Sequence, residues 1–141
     1  MTKIFLDTNI LVYANDHRDR QKQAMATKLL SDCIGRRRGV ISTQVLQEYA
    51  SVSLYKLHQS VDLIARRLLQ FESMEVVQVT PALIRRALEF HSLHKIHYWD
   101  ATILAAAEAA RCTRLWSEDF APGAIYGLLR VENPLAGCEG R

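Results

Sequence analysis

Cysteine is scarce and unpaired in this chain. Cys33, Cys112 and Cys138 are odd in number, widely scattered, and form no Cys-x-x-Cys. That pattern argues against a disulfide framework or structural zinc and fits a reducing compartment, so a cytoplasmic location is expected. Long apolar runs are missing too. No stretch approaches the roughly 18–20 residues of a membrane span. Met1-Thr2-Lys3 leads straight into a strand-like run rather than through a basic region into an apolar signal core. There is no Gly-x-Ser-x-Gly, no Gly-x-x-x-x-Gly-Lys phosphate loop and no dinucleotide-binding glycine fingerprint. Internal repeats, low-complexity segments and linkers are also absent. What remains is one domain's worth of chain: 141 residues, 49% apolar and 23% charged, with a formal net charge of +3. That mild basicity is only weakly in favour of a polyanionic partner.

Against this ordinary background, four acids sit inside apolar segments. Asp7 ends Lys3-Ile4-Phe5-Leu6, and Glu48 lies within Val45-Leu46-Gln47-Glu48-Tyr49-Ala50. Asp100 opens an Ala- and Leu-rich run, and Asp119 closes Leu115-Trp116-Ser117-Glu118-Asp119. Burying one unpaired carboxylate costs several kcal/mol, so four of them imply a shared pocket for something cationic. Hard divalent cations with oxygen ligands suit such a pocket best. Each acid also has a plainer role open to it. Asp7 and Asp100 are good helix N-caps, Glu48 fits a half-exposed helix position, and Glu118-Asp119 fits a solvated turn.

Apolar patterning alternates between short strand-like runs and longer helical ones. Strands are expected at 3–7, 40–42, 75–79, 114–116 and 128–131. Helices are expected at 9–14, 18–34, from Ser42 or Thr43 to about His58, 61–71, from Thr80-Pro81 to about Lys95, and 100–110. This alternation predicts an α/β sandwich around a mainly parallel sheet. In such sheets functional groups gather beyond the carboxyl ends of the strands. Asp7 and Asp119 each follow a strand, Asp100 starts a helix, and Glu48 shares an inward helix face with Val45 and Val52. The chemistry suited to this set is phosphodiester hydrolysis with bound Mg²⁺ or Mn²⁺.

Taken together, Phe5-Leu6-Asp7-Thr8-Asn9-Ile10-Leu11, Ser42-Thr43-Gln44-Val45-Leu46-Gln47-Glu48, Trp99-Asp100-Ala101, Leu115-Trp116-Ser117-Glu118-Asp119-Phe120 and Val131-Glu132-Asn133-Pro134 make a specific series. On these residues the chain resembles PIN-domain ribonucleases, and among them the VapC-type toxins of type II toxin–antitoxin systems. The resemblance implies a three-layer α/β/α domain over residues 1–141, with 133–141 as a C-terminal tail. It further implies a metal-dependent endoribonuclease that leaves 5′-phosphate and 3′-hydroxyl ends. Asp7, Glu48, Asp100 and Asp119 would form its acidic pocket and hold Mg²⁺ or Mn²⁺, with Asp7 and Asp100 the surest ligands. Thr8, Asn9 and Ser117 would support them by hydrogen bonding, and Glu118 stands in reserve for Asp119. The implied partners are an RNA substrate, a cognate antitoxin and a second copy of the toxin, with no membrane.

Two other functions compete. A haloacid-dehalogenase-like phosphatase also places an Asp after its first strand, but it needs a second Asp two residues on, where this chain has Asn9. A PIN-like module that only binds RNA or protein would gain nothing from acids facing phosphates. His91, His94 and His97 recur every three residues, but no carboxylate or Cys completes a zinc set, and a solvated or dimer-lining face is expected. Arg36-Arg37-Arg38 is expected to be a solvated helix end rather than a phosphate contact. Trp99 and Trp116 flank acidic positions, where either could stack on a base, but packing beside the pocket is the expected role of each.

Overall fold

A computed structural model describes residues 2–138. Four three- or four-residue strands, β1 (Ile4–Leu6), β2 (Gly39–Ser42), β3 (Glu75–Val77) and β4 (Arg114–Trp116), run parallel. Two more, β5 (Ile125–Tyr126) and β6 (Leu129–Glu132), complete one sheet in the order β3-β2-β1-β4-β6-β5. β6 is parallel to β4, and β5 is antiparallel to β6. Helices α1 (Thr8–Tyr13), α2 (Arg20–Gly35), α3 (Thr43–Tyr55), α4 (Val61–Phe71), α5 (Pro81–His94) and α6 (Tyr98–Ala109) make the outer layers of a three-layer α/β/α fold. α1 packs on α2 and α3, α3 packs on α4, and α5 pairs with α6.

Central β1 is apolar at every position because both its faces are covered. Ile4, Phe5 and Leu6 are each 0% exposed, and each such side chain stabilises the fold by roughly 1.5–3 kcal/mol. α6 is buried from Ala101 to Ala107, and its short side chains allow the close approach to α5. The helix starts follow capping chemistry. The Ser42, Ser60 and Thr80 hydroxyls accept from the backbone N–H of Val45, Leu63 and Leu83, each at 3.2 Å. Pro81 occupies the first turn of α5, which Lys95 closes in the left-handed region at φ 54°.

Several boundaries differ from the sequence expectation. α3 stops at Tyr55 rather than near His58, because His58 lies at φ 53°. β3 ends at Val77, and the Val79 N–H turns to the Thr43 hydroxyl instead of a strand neighbour. α6 begins at Tyr98, with His97 rather than Asp100 as its cap. β5 has no counterpart among the strands that the sequence pattern predicts. It is a two-residue strand joined to β6 through Gly127 at φ 63°, too short to show a period of two. Beyond β6, Leu135 is fully buried in the core, so the chain stays packed past Glu132. Residues 139–141 of the expected tail lie outside the described residues. Among those residues no helix is long and apolar enough to cross a membrane.

Candidate active site

The strand order sets the location. From β1 the chain moves outward through β2 to β3, then returns to β4 on the other side of β1. The β1–β4 boundary is therefore the point where the order reverses, and open parallel sheets carry their clefts beyond the carboxyl ends of the strands there. Leu6 and Trp116 are register partners, so Asp7 and Ser117 leave the sheet side by side. The Asp7 N–H donates to the Trp116 carbonyl at 3.0 Å, which ties the two exits together.

Asp7 is 4% exposed and both its oxygens are engaged. The Thr8 N–H donates to Oδ1 at 2.8 Å, the N-cap contact of α1, and the Ser117 hydroxyl donates to Oδ2 at 2.7 Å. Capping and membership of the acidic group thus coincide in one residue. Ser117 Oγ in turn accepts from the Asp119 N–H at 3.0 Å, fixing the turn that carries Asp119. The Asn9 amide faces both Asp119 oxygens at 3.5 Å. Glu118 points elsewhere: its carboxylate meets Lys22 at 2.9 Å in a pair whose side chains are 13% and 14% exposed. Glu118 is thus neutralised within the fold, and Asp119 is the carboxylate turned toward the other acids.

Glu48 approaches from α3. The Thr8 hydroxyl donates to its Oε2 at 2.6 Å, and the Gln44 amide, one turn back, donates to Oε1 at 2.7 Å. Gln44 is itself held by the Thr102 hydroxyl of α6, which lies within hydrogen-bond reach of Gln44 Oε1 and of the Trp99 carbonyl. Gln44 and Thr102 are buried, yet neither was singled out from sequence. The signals were a polar residue four positions before Glu48 on the same helix face and a Thr two positions after Asp100. Both residue types are common in helices, so neither signal was strong.

Electrostatics link the four acids. Burial pushes the Asp7 carboxyl up to about 6, and the charges of Asp119 and Glu48 add to it against the lowering effect of its two hydrogen bonds. Burial also raises Asp100, reinforced by Asp119 and Glu48 and opposed by His97. Asp119 is raised by burial, then by Glu118 and Glu48. Among the described residues no Lys or Arg forms an ion pair with Asp7, Glu48, Asp100 or Asp119. Among the same residues no three His, Cys, Asp or Glu side chains stand close enough to hold one ion as arranged. The acids are therefore at the range of mutual repulsion rather than of ligation. In kind they are hard oxygen donors, which suit Mg²⁺ or Mn²⁺.

The remaining sequence features have separate tasks. The His91 ring N–H donates to the Ile96 carbonyl at 2.6 Å, His94 packs between Phe90 and Tyr126, and His97 caps α6. Arg36 and Arg38 both pair with Asp32. Trp116 is buried and donates to Glu132 at 3.1 Å, whereas Trp99 is 58% exposed. A mostly apolar cavity of about 600 Å³ among Phe90, Leu104, Tyr126 and Leu129 includes none of the four acids.

The PIN domain model matches residues 4–125. No curated protein sequence matches the chain. Solved structures share its fold, three of them as follows. A toxin–antitoxin complex from Klebsiella pneumoniae aligns with TM-score 0.69 at 21% identity, over 94% of this chain and 98% of that one. Mycobacterium tuberculosis VapC20, a sarcin–ricin loop cleaving toxin, aligns with TM-score 0.67 at 18% identity, over 83% and 92%. Rickettsia felis VapBC2, bound to a DNA fragment from its promoter, aligns with TM-score 0.66 at 22% identity, over 94% and 98%. Matched by the family model over most of its length, and with its acids at the reversal point of the sheet, the chain belongs to the PIN domain family.

Proposed function

We propose that the chain is a divalent-metal-dependent endoribonuclease acting as the toxin of a type II toxin–antitoxin pair. The observation that carries this reading is the convergence of Asp7, Glu48, Asp100 and Asp119, three of them with raised pKa and none paired with Lys or Arg among the described residues. A group of carboxylates left to repel one another is stabilised by a multivalent cation. Asp7, Glu48, Asp100 and Asp119 would hold Mg²⁺ or Mn²⁺, with Asp7 and Asp100 the principal ligands. When bound, the ion supplies a water of lowered pKa and offsets charge on the scissile phosphate. The protein's own part is positional. Ser117 and the Thr8 N–H fix the Asp7 carboxylate, while Thr8 and Gln44 fix that of Glu48. Asn9 steadies Asp119.

The three structural neighbours support the partners. One is a toxin–antitoxin complex, one is VapBC2, and one is a toxin that cleaves the sarcin–ricin loop. By that likeness the protein partner is a cognate antitoxin and the substrate RNA; a homodimer of the toxin and a cytoplasmic location belong to the same proposal and do not follow from the neighbours. A binding module without catalysis is the second reading. It is favoured by the spacing of the acids, which as arranged bring no three together for one ion.

Cleavage of RNA by antitoxin-free protein in Mg²⁺ or Mn²⁺, beside an EDTA control and Asp7→Asn, tests the proposal. Metal-dependent cutting that the substitution abolishes is the expected result. Intact RNA after incubation with folded, metal-loaded protein would leave the binding reading in its place.

A further inference from the structure

We propose that Trp99 and the shallow pocket beside it bind an unstacked nucleobase of the RNA strand. This deepens the nuclease reading and rests on it.

A tryptophan more than half exposed is unusual for a residue that normally contributes a large buried area. This one is also held in place. Its ring meets the edge of Tyr98, with centroids 5.2 Å apart and planes at 68°. Its backbone N–H donates to the His97 ring at 3.3 Å, and its carbonyl accepts from the Thr102 hydroxyl at 2.6 Å. An exposed aromatic with a fixed backbone and a supported edge loses little freedom on binding, which favours a flat ligand.

Its surroundings specify what kind of flat ligand. Trp99 lines a cavity of about 360 Å³ with Gln44, Gln47, Glu48 and Ser51. One wall is therefore an indole, and the other walls are amides, a hydroxyl and a carboxylate. Gln47 and Ser51 are exposed and lie on the face of α3 that carries Glu48. An aliphatic side chain from a protein partner would use the indole but leave the Gln47 amide and the Ser51 hydroxyl unpaired. A nucleobase offers an apolar face for stacking and an edge of donors and acceptors for Gln47 and Ser51.

Continuity with the acids fixes the strand to which the base belongs. Glu48 is both a wall of this cavity and a member of the acidic group. The link is mechanical as well, since the single Thr102 hydroxyl lies within reach of both the Trp99 carbonyl and Gln44 Oε1, and the Gln44 amide donates to Glu48. A base seated on Trp99 is thus registered against the carboxylates, which makes Trp99 a specificity-determining residue. Because the base must leave its stack, single-stranded or looped RNA is the preferred substrate form.

The test uses the full chain with Asp7→Asn to prevent cutting, and a short single-stranded RNA as probe. Trp99→Ala should weaken binding roughly 5- to 100-fold, the loss typical of one stacked base, and Trp99→Phe should recover part of it. Removing one base at a time from the probe should identify a position where the loss is the same and does not add to that of Trp99→Ala. In the cutting-competent chain, Trp99→Ala should raise KM while leaving kcat within a few-fold, a split that a purely structural role would not give. Thermal melting should be unchanged, because the indole is exposed.

Equal RNA affinity and equal KM in Trp99→Ala, while the parent chain still cuts RNA, would overturn the base pocket and leave the nuclease standing. Loss of affinity for a protein partner with RNA binding intact would also overturn it. If the parent chain neither binds nor cuts RNA, both proposals fall together.

Discussion

The two ends of the central sheet treat charge in opposite ways. At the amino end, Lys3 pairs with Glu75 at 2.8 Å and Arg38 with Asp32 at 2.8 Å. At the carboxyl end, Asp7 and Asp119 emerge from neighbouring strands toward Glu48 and Asp100 with no Lys or Arg among them. Carboxyls elsewhere in the molecule sharpen the contrast. Hydrogen bonds from Arg86 hold Glu108 below its ordinary range, and those from Arg18 do the same for Asp16. Burial works to raise Glu132, but Arg114 and Trp116 outweigh it and the net shift is downward. Asp7, Asp100 and Asp119 all move the other way. Paired acids lower the energy of the fold, whereas these three raise it, and that contrast is what the proposed binding of a cation at the carboxyl end would relieve.

The largest effect expected from breaking this asymmetry is on catalysis. Asp7→Asn should lower RNA cleavage on the order of a thousand-fold, read as initial rates in saturating Mg²⁺. The same substitution should make the metal-free protein more stable. Asp7 titrates near 6 in the folded chain against 3.8 for an unperturbed carboxyl, so the fold prefers its neutral form. The stability linked to that proton is fully present below about pH 4, is lost as pH rises through about 6, and stays lost above. Urea unfolding in EDTA should therefore show Asp7→Asn gaining about 3 kcal/mol over the parent chain at pH 7.5 and almost nothing at pH 3.5. A gain of equal size at both values would mean that packing, not charge, separates the two ends.

Thr102→Val comes next. It keeps the shape of a residue that is 2% exposed and removes the hydroxyl that holds Gln44. Mn²⁺ affinity or cleavage should drop by up to roughly 10-fold, at or below the low end of what losing a direct partner of a metal ligand costs, because Thr102 reaches Glu48 only through Gln44. At the opposite end, Glu75→Gln should change stability by less than about 1 kcal/mol, since both side chains of that pair are nearly half exposed and screened by solvent. It should leave cleavage untouched. An effect of Glu75→Gln on cleavage as large as that of Thr102→Val would remove the distinction between the ends.

Features expressed through residue type and spacing were readable in the sequence. The α4 helix, Val61–Phe71, and the β4 strand, Arg114–Trp116, fall where periodicity puts them. The four acids stand out because a carboxylate in an apolar run is costly wherever the run ends up. Features set by partners distant in the chain were not readable. β5 exists because β6 is there to pair with it. Gln44 and Thr102 matter only because α3 and α6 meet, 58 residues apart in sequence. Between Glu118 and Asp119, the choice turns on Lys22, which lies 96 residues from Glu118. No local pattern carries such information.

The hydrogen bond from Ser117 to Asp7 spans 110 residues. A ribosome therefore releases Asp7 ahead of Ser117 by 110 residues. At roughly 5–20 residues per second, the two are separated by about 5–20 s of synthesis. Through that interval β1 has no β4 beside it, and the carboxylates cannot assemble. The carboxyl end of the sheet thus takes shape only once β4 has emerged, long after β1 and β2 are free to pair, so the acids are the last part of the fold to be brought together.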